Sequence, residues 1–281
     1  MGVRRAMDLA EKSLHEVPAE GVYSLGPLIH NPQVMEDFDR RGLSVINEQA
    51  LEGLGPGARV IIRAHGVSPQ IEDSLLEKKI DIVDATCPRV HASQKLVAKA
   101  RQAGRAVFLA GDRGHGEIRG LAGHDASCSI FENEKEVRNF LATAKAASIP
   151  RDSSPILIPQ TTFSKTELDV IARLLKEHWS GLEVANTICR ATEERQKSLL
   201  ELLEIVDAVV VVGGKNSANT RRLHALALER IKKSILIETP EELPEWIFAE
   251  DRVGLTAGAS TPDSIIQAVE ERLLVTTRSK T

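Results

Sequence analysis

The stretch DIVDATCPRVHASQKLVAKARQAGRAVFLAG (81–111) decides the fold. Two short runs of apolar and β-branched residues, 81–85 and 105–111, enclose a segment whose apolar residues recur at helical spacing. Continuous apolar runs of this kind are typical of strands that are buried on both faces. The stretch therefore predicts two parallel strands covered by the helix that joins them. The first of these strands leads directly to Cys87.

The same alternation continues along the whole chain. Helical segments separate five more strand-like runs, which lie at 59–64, 156–159, 207–213, 234–238 and 252–258. A repeated strand-helix pattern predicts an α/β protein with mostly parallel sheets. Polar motifs follow the strands repeatedly, and ligands bind outside the carboxyl ends of strands in such sheets. We expect three similar α/β lobes arranged around one central site.

Lobe boundaries are predicted from spacing, because no long Pro/Gly/Ser linker interrupts the chain. Cys87 and Cys189 each end a strand-like run and precede a helix-like run. Each cysteine is therefore placed where one α/β unit ends and the next begins. The predicted lobes are 1–87, 88–183 and 184–276, followed by a tail at 277–281.

Composition narrows the class of protein. The 281 residues are 42% hydrophobic and 27% charged, which is typical of a folded globular chain. A net charge of −4 and only 3% aromatic residues argue against nucleic-acid binding. We find neither a signal peptide nor an apolar stretch long enough to span a bilayer, so we expect a cytoplasmic protein without a membrane partner.

The three cysteines do not form a secreted disulfide pattern, so metal binding, catalysis and burial remain open for them. Cys87 and Cys189 follow strand-like runs, whereas Cys128 lies within one, in ASCSIF, and is interpreted as a core residue. The chain has no CxxC pair and no HExxH motif, which weakens the case for zinc. Iron–sulfur ligation by widely spaced thiolates fits Cys87 and Cys189 better.

Three histidines and a glutamate are candidates for chemistry. His65 and His115 lie beside glycines just after strands, and His30 lies in the turn LIHNPQV. Imidazole N–H groups can donate to an anion, although any one of these histidines could be purely structural. Glu117 shares the loop GHGEIRG with His115 and could donate a proton. The remaining histidines are assigned no function: His15, His91, His124, His178 and His224.

Small polar residues precede several predicted helices. Thr161 and Thr162 could cap a helix or relay a proton, and Ser217, Asn219 and Ser260 could cap helices or bind phosphate through a helix N-terminus. GGKNSANT lacks the GK[ST] ending of a Walker sequence, so nucleotide binding is not predicted.

Eight motifs in fixed order carry a resemblance that covers nearly the whole chain. The chain resembles the 4-hydroxy-3-methylbut-2-enyl diphosphate reductases of the non-mevalonate isoprenoid pathway through HNPQV, AHGVSP, VDATCP, GHGEIRG, PQTTFS, ANTICRAT, VVGGKNSANT and LTAGASTPD. The resemblance implies a three-lobed α/β oxidoreductase around a 4Fe–4S cluster. It also implies reductive dehydroxylation of the hydroxylated prenyl diphosphate to isopentenyl and dimethylallyl diphosphates, with electrons from a ferredoxin- or flavodoxin-like partner.

The same resemblance implies roles for individual residues. Cys87 and Cys189 would be ligands of the cluster, Glu117 would protonate the departing hydroxyl group, and Thr161 would assist it. The residues implied to bind the substrate diphosphate are His30, His65, His115, Thr161, Ser217, Asn219 and Ser260.

The chain departs from the family pattern at two places. It begins MGVRRAMDLA, which is similar to the stretch just after the family's first strand and glycine-phenylalanine-cysteine motif, so we expect the first cluster cysteine to lie just upstream of Met1. Ala218 stands where some members carry a serine. The absent cysteine leaves one alternative, an inactive homologue that binds a prenyl diphosphate. A mononuclear metal hydrolase that uses Cys87, Cys189 and nearby histidines is another alternative.

Overall fold

The structure is a computed structural model that describes residues 2–16 and 20–278. Its described part divides into two compact units. One unit contains the residues up to 28 together with 37–189, and the other contains 29–36 together with the residues from 190 onward. The first unit carries two parallel sheets and the second carries one, which confirms the predicted α/β class. The lobe boundaries expected after residues 87 and 183 stay a prediction.

The first sheet of the first unit has four parallel strands, β1 (Val22–Leu25), β2 (Leu43–Ile46), β3 (Arg59–Ile62) and β4 (Asp81–Asp84). Their order in the sheet is β2-β1-β3-β4. Along this part of the chain run three helices, α1 (Gly2–His15), α2 (Pro32–Arg40) and α3 (Pro69–Glu77). Val60, Ile62 and Leu75 are fully buried in one core cluster, so α3 covers a face of β3.

The second sheet follows through α4 (Pro88–Gln102) and has the order β6-β5-β7-β8. Its strands, again all parallel, are β5 (Val107–Ala110), β6 (Ser129–Phe131), β7 (Ile156–Pro159) and β8 (Glu183–Val184). The helices of this region are α5 (Gly116–His124), α6 (Glu134–Leu141), α7 (Ala144–Ala147) and α8 (Lys165–His178).

Both faces of this second sheet are covered, as the continuous apolar runs predict. Phe108 of β5 packs on the face that carries Trp179 at the end of α8, with ring centroids 5.3 Å apart. Its neighbour Leu109 points to the opposite face and packs with Val97 of α4 and Ile118 of α5. Because side chains alternate along a strand, each apolar residue of VFLA serves one of two separate cores.

The second unit is built on the sheet β10-β9-β11, with β9 (Ala208–Val212), β10 (Ser234–Ile237) and β11 (Val253–Ala257) all parallel. Its main helices are α9 (Arg190–Leu203), α10 (Ala218–Leu228) and α11 (Asp263–Arg278). All five residues of β9 are buried, because Val209 and Val211 face α9 and α10 while Val210 and Val212 lie in a second cluster with Val269 of α11.

The seven predicted strands are all present, although several are shorter by one or two residues at their ends. The loops that follow them are therefore longer than the sequence indicates: β4 ends at Asp84 and β8 at Val184, before Cys87 and Cys189. Cys128 likewise lies just before β6 and not inside it. Within the described ranges, none of the helices combines the length and the apolar character that crossing a bilayer requires.

Candidate active site

The predicted reactive residues of the first unit lie in loops beyond the carboxyl ends of strands. His65 follows β3, Cys87 follows β4, His115 follows β5, Thr161 follows β7 and Cys189 follows β8. In parallel sheets these loops converge at one edge, where helix N-termini also point. The fold therefore gathers the candidates of this unit at the edges of its two sheets.

Glu117 and Thr161 form the best-defined contact of the site. The carboxyl group of Glu117 is almost completely buried, with 1% of the residue exposed. It accepts the backbone N–H of Thr161 at 2.7 Å on one oxygen and the Thr161 hydroxyl at 2.8 Å on the other. A hydroxyl group can donate to a carboxylate or accept from a carboxylic acid, so this arrangement serves both protonation states.

Thr161 also joins this carboxyl group to a cysteine. Its carbonyl oxygen accepts the backbone N–H of Cys189 at 2.7 Å. One residue therefore contacts Glu117 with its N–H and hydroxyl, and the Cys189 loop with its carbonyl. Thr162 is bound differently, because its hydroxyl accepts from the side-chain amide of Gln160 at 2.9 Å. The structure thus favours Thr161 over Thr162 as the partner of Glu117.

His65 and His115 lie side by side. Their ring centroids are 4.7 Å apart, and the ring planes cross at 82°. His115 is the N-cap residue of α5, and its Nδ1 accepts the backbone N–H of Glu117 at 3.2 Å. Because Nδ1 acts as an acceptor, the proton of a neutral ring is on Nε2. His115 therefore presents an N–H donor on the side away from its own helix.

The loop that carries Cys87 is held by a residue that the sequence analysis assigned no function. His91 of α4 faces Asp84 with its Nε2 at 2.7 Å, and Asp84 accepts the backbone N–H of Thr86 at 2.8 Å. Burial raises the pKa of Asp84, but the hydrogen bonds from Thr86 and His91 outweigh it and lower this pKa below its usual value. The charged carboxylate thus stabilises the turn that leads to Cys87.

Gln94, one turn further along α4, continues this network. Its Oε1 lies 3.1 Å from Nδ1 of His91, and its Nε2 donates to the carbonyl of Val67 at 3.0 Å. Both ring nitrogens of His91 therefore lie within hydrogen-bond distance of a side-chain oxygen. Through Gln94 the loop after β3, which contains His65, is connected to the helix that begins after Cys87.

The two cysteine loops are in contact. Arg89, in the first turn of α4, donates to the carbonyl of Ile188 at 3.3 Å. Thr187 donates its hydroxyl to the carbonyl of Pro159, at the end of β7, at 2.7 Å. Cys87 and Cys189 are both partly exposed free thiols, and each directly precedes a helix, α4 or α9. The geometry of the loops is compatible with two thiolate ligands of one group.

Cys128 has a different environment. It is a free thiol that packs against the cluster of Val97, Leu109 and Leu121. Burial raises the pKa of Cys128 to about 11. A thiol with this pKa is protonated at neutral pH and is a poor metal ligand. The structure thus supports its interpretation as a core residue.

We expect alkylation to separate this cysteine from the other two. At pH 8, about one Cys128 thiol in a thousand is ionised, since its pKa is about 11. Brief treatment of the metal-free native protein with iodoacetamide should modify Cys87 and Cys189 and leave Cys128 largely unmodified, as measured by peptide mass spectrometry. Denatured protein, in which all three should react, is the control. Equally rapid modification of Cys128 in the native protein would contradict this environment.

The second unit contains its own group of polar candidates, at the ends of β9 and β11. Ser217 is the N-cap of α10 and accepts the backbone N–H of Thr220 at 3.4 Å, which is the capping role that the sequence allows. Asn219 is buried, with only 6% of the residue exposed. Its side-chain nitrogen has no hydrogen-bond partner among the described residues. Ser260 is partly exposed just before α11. An unpaired buried amide donor at a helix N-terminus favours an anionic ligand.

His30 belongs to the second unit, where Gly214 closely approaches its backbone. Asn31 accepts the backbone N–H of Val34 at 3.0 Å and so begins α2 directly after His30. The Cα of Gly214 lies so close to the His30 carbonyl that a side-chain Cβ would overlap it. The loop after β9 therefore requires glycine at this position to keep His30 in place.

Gly214→Ala tests this close approach. The added methyl group would force the His30 carbonyl or the loop after β9 to move, so we expect unfolding free energy to fall by about 1–3 kcal/mol. Urea denaturation measures the loss. Gly53→Ala is the matched control, because its methyl group would meet no atom within 4 Å. Equal stability of the two variants would show that the approach is not constrained.

Comparisons with known proteins show which family the chain belongs to. A protein-family model described as LytB protein matches residues 1–274. A 4-hydroxy-3-methylbut-2-enyl diphosphate reductase of Treponema denticola is 42% identical over 278 residues, covering 97% of this chain and 95% of the relative. The enzyme of the same name from Aquifex aeolicus is 39% identical over 281 residues, covering 97% and 91%.

Two solved structures of reductases are also similar to this chain. The E-1-hydroxy-2-methyl-but-2-enyl-4-diphosphate reductase from Plasmodium falciparum is similar with a TM-score of 0.88 and 28% identity, over 96% of this chain and 83% of that one. A second reductase structure, titled the terminal enzyme of the non-mevalonate pathway, has a TM-score of 0.66 and 36% identity, over 98% and 95%. The chain is an α/β oxidoreductase. It belongs to the LytB protein family.

Proposed function

We propose that the chain reduces (E)-4-hydroxy-3-methylbut-2-enyl diphosphate to isopentenyl and dimethylallyl diphosphates in non-mevalonate isoprenoid biosynthesis. The reaction replaces a C–O bond by a C–H bond, consumes two electrons and two protons, and releases the hydroxyl oxygen as water. The observation that carries the proposal is the buried Glu117 carboxyl group, which Thr161 links to the Cys189 loop. Through Thr161, the proposed proton donor is connected to the loop that carries the Cys189 thiol.

An iron–sulfur cluster is consistent with the family, and we propose that it is a 4Fe–4S cluster with Cys87 and Cys189 among its ligands. The residues present fit such a group in two respects. The side chain of Cys87 does not cap α4, so its sulfur is available, and the N-termini of α4 and α9 favour an anionic group. When bound, the cluster supplies electrons and a Lewis-acidic iron.

The protein's own residues bind the diphosphate and supply a proton. In the first unit, His65 and His115 provide ring N–H donors, and His115 has the tautomer that donation requires. In the second unit, His30, Ser217, Asn219 and Ser260 are the proposed diphosphate ligands, and Asn219 has the unpaired amide donor. Glu117 donates the proton that turns the departing hydroxyl into water, while Thr161 orients Glu117.

The electron donor and the cellular location stay predictions. We propose a ferredoxin- or flavodoxin-like protein as the donor, as the resemblance to the reductase family implies. A cytoplasmic location is the corresponding proposal.

Glu117→Gln tests the proton donor. Glutamine keeps the size of the side chain but cannot donate a proton as a carboxylic acid does, so we expect kcat to fall about 10²–10⁴-fold with little change in KM. Turnover of the hydroxylated diphosphate with a chemical reductant provides the measurement. Glu134→Gln, a change at an exposed glutamate paired with Arg138, should leave both constants unchanged. A Glu117→Gln enzyme of normal kcat would exclude this role.

Cysteine variants test the cofactor assignment. After anaerobic reconstitution, Cys87→Ser and Cys189→Ser should each lose most bound iron and sulfide, because each removes a thiolate ligand. Cys128→Ser is the matched control and should bind as much iron as the unmodified chain. Iron and sulfide analysis together with visible absorption measures the outcome. Loss of the cluster only in Cys128→Ser would refute the assignment, and one zinc without sulfide would favour a hydrolase.

A further inference from the structure

A cleft of about 620 Å³ lies in the first unit beyond the carboxyl ends of β1, β2 and β3. The N-terminal parts of α3 and α5 close its other side, through Ser68, Ile71 and Arg119. The histidines, the carboxyl group and the thiols assigned above to the reaction are not among its lining residues. The size of the cleft is within the range of sites that bind small molecules.

Arg63, just after β3, is the most unusual residue in the cleft. Its guanidinium group lies between the backbones of Gly26 and Gly116, where a Cβ at either glycine would press against it. It makes no hydrogen bond to the part of the chain that the structure describes, although it lines the cleft. Burial and the nearby Arg119 lower the pKa of Arg63, and the charge of Glu48 opposes this shift only in part. A half-buried cation with unused N–H donors is costly unless an anion pairs with it.

Other hydrogen-bond donors line the same cleft. Arg119 also lines the cleft and pairs with Glu48, so the two arginines outnumber the one carboxylate among the lining residues. Ser68 begins α3, but its hydroxyl does not cap that helix. Asn47 uses its side-chain oxygen to accept the N–H of Ala50 at 2.9 Å, which turns its NH₂ group outward. The net charge and the donors favour an anionic group such as phosphate.

Apolar side chains form the smaller part of the cleft surface. Its apolar lining side chains are those of Leu25, Pro27, Val45, Ile46, Val67 and Ile71. Val45 is 45% exposed, which is high for a large apolar residue in a strand. A ligand with an apolar chain would cover this surface and gain burial energy.

We propose that this cleft is a second binding site of the chain, and that its ligand is a phosphate or diphosphate ester with a short apolar chain. Arg63 and Arg119 bind the anionic head, and Val45 and its apolar neighbours contact the chain. This inference goes beyond the proposed reaction, because binding in the cleft requires neither the cofactor nor turnover.

Amide hydrogen exchange of the full chain in the presence of 3-methylbutyl diphosphate tests the proposal. This saturated compound has no hydroxyl group that could leave, so it is not reduced. Because the proposed active site also binds diphosphates, the position of the protection decides the result. We expect protection of the backbone amides of 43–49, a segment whose residues 45–49 line the cleft, and a concentration dependence of this protection that is independent of bound iron. No protection of 43–49 at saturating ligand overturns the proposal.

Two variants with a matched control make the test specific. Val45→Asp places a carboxylate in the cleft at an exposed position, and Leu76→Asp makes the same change at a residue that is 64% exposed on α3 and does not line the cleft. We expect Val45→Asp to abolish the protection and Leu76→Asp to preserve it. Arg63→Gln should weaken binding about 10–100-fold through the loss of a charge-assisted hydrogen bond. Protection that survives Val45→Asp excludes the cleft.

The ligand class is tested with the head group alone. Inorganic diphosphate should protect 43–49 at least about tenfold more weakly than 3-methylbutyl diphosphate, since it leaves the apolar wall exposed. Equal affinity of the two compounds overturns the proposed class of ligand. A chain without reductase activity that still shows the protection refutes the proposed function and leaves the cleft proposal standing.

Discussion

The site of the first unit depends on the burial of one carboxyl group. Removing Glu117 from water is unfavourable by several kcal/mol unless its oxygens are hydrogen-bonded. Thr161 satisfies both oxygens, one through its backbone and one through its hydroxyl. Since the Thr161 carbonyl also binds the N–H of Cys189, the same residue positions three segments: the first turn of α5, the loop after β7 and the loop before α9.

The acid lies in the first turn of a helix, and its hydrogen-bond partner lies in a loop. Glu117 is in the first turn of α5, where His115 caps the helix by accepting the Glu117 N–H. The backbone of Glu117 thus orients the imidazole while its side chain binds Thr161. Any shift of α5 along its axis would change both contacts together. Glu117, the proposed proton donor, and His115, a proposed hydrogen-bond donor to the diphosphate, are therefore positioned together. A movement of α5 would displace both.

The sequence predicts the sheets well and the networks poorly. Runs such as VFLA and AVVVV are buried on both faces, so their apolar continuity identifies them as strands. The strands β1 and β2 are not predicted, because VYSL and LSVI are short and mix polar with apolar residues without a continuous apolar run. For the site, strand-end position identifies His65, His115 and Thr161. Position does not reveal Arg63, whose significance depends on two glycines distant in sequence.

The helix α4 shows the physical reason for this limit. His91 and Gln94 are ordinary polar residues of an amphipathic helix. Helical periodicity does not distinguish them from other polar residues of that helix. Their contacts with Asp84 and Val67 arise only because β3 and β4 are adjacent and parallel, so that the loops after both strands meet at the beginning of α4. The motif with His65 and the motif with Cys87 therefore share one hydrogen-bond network.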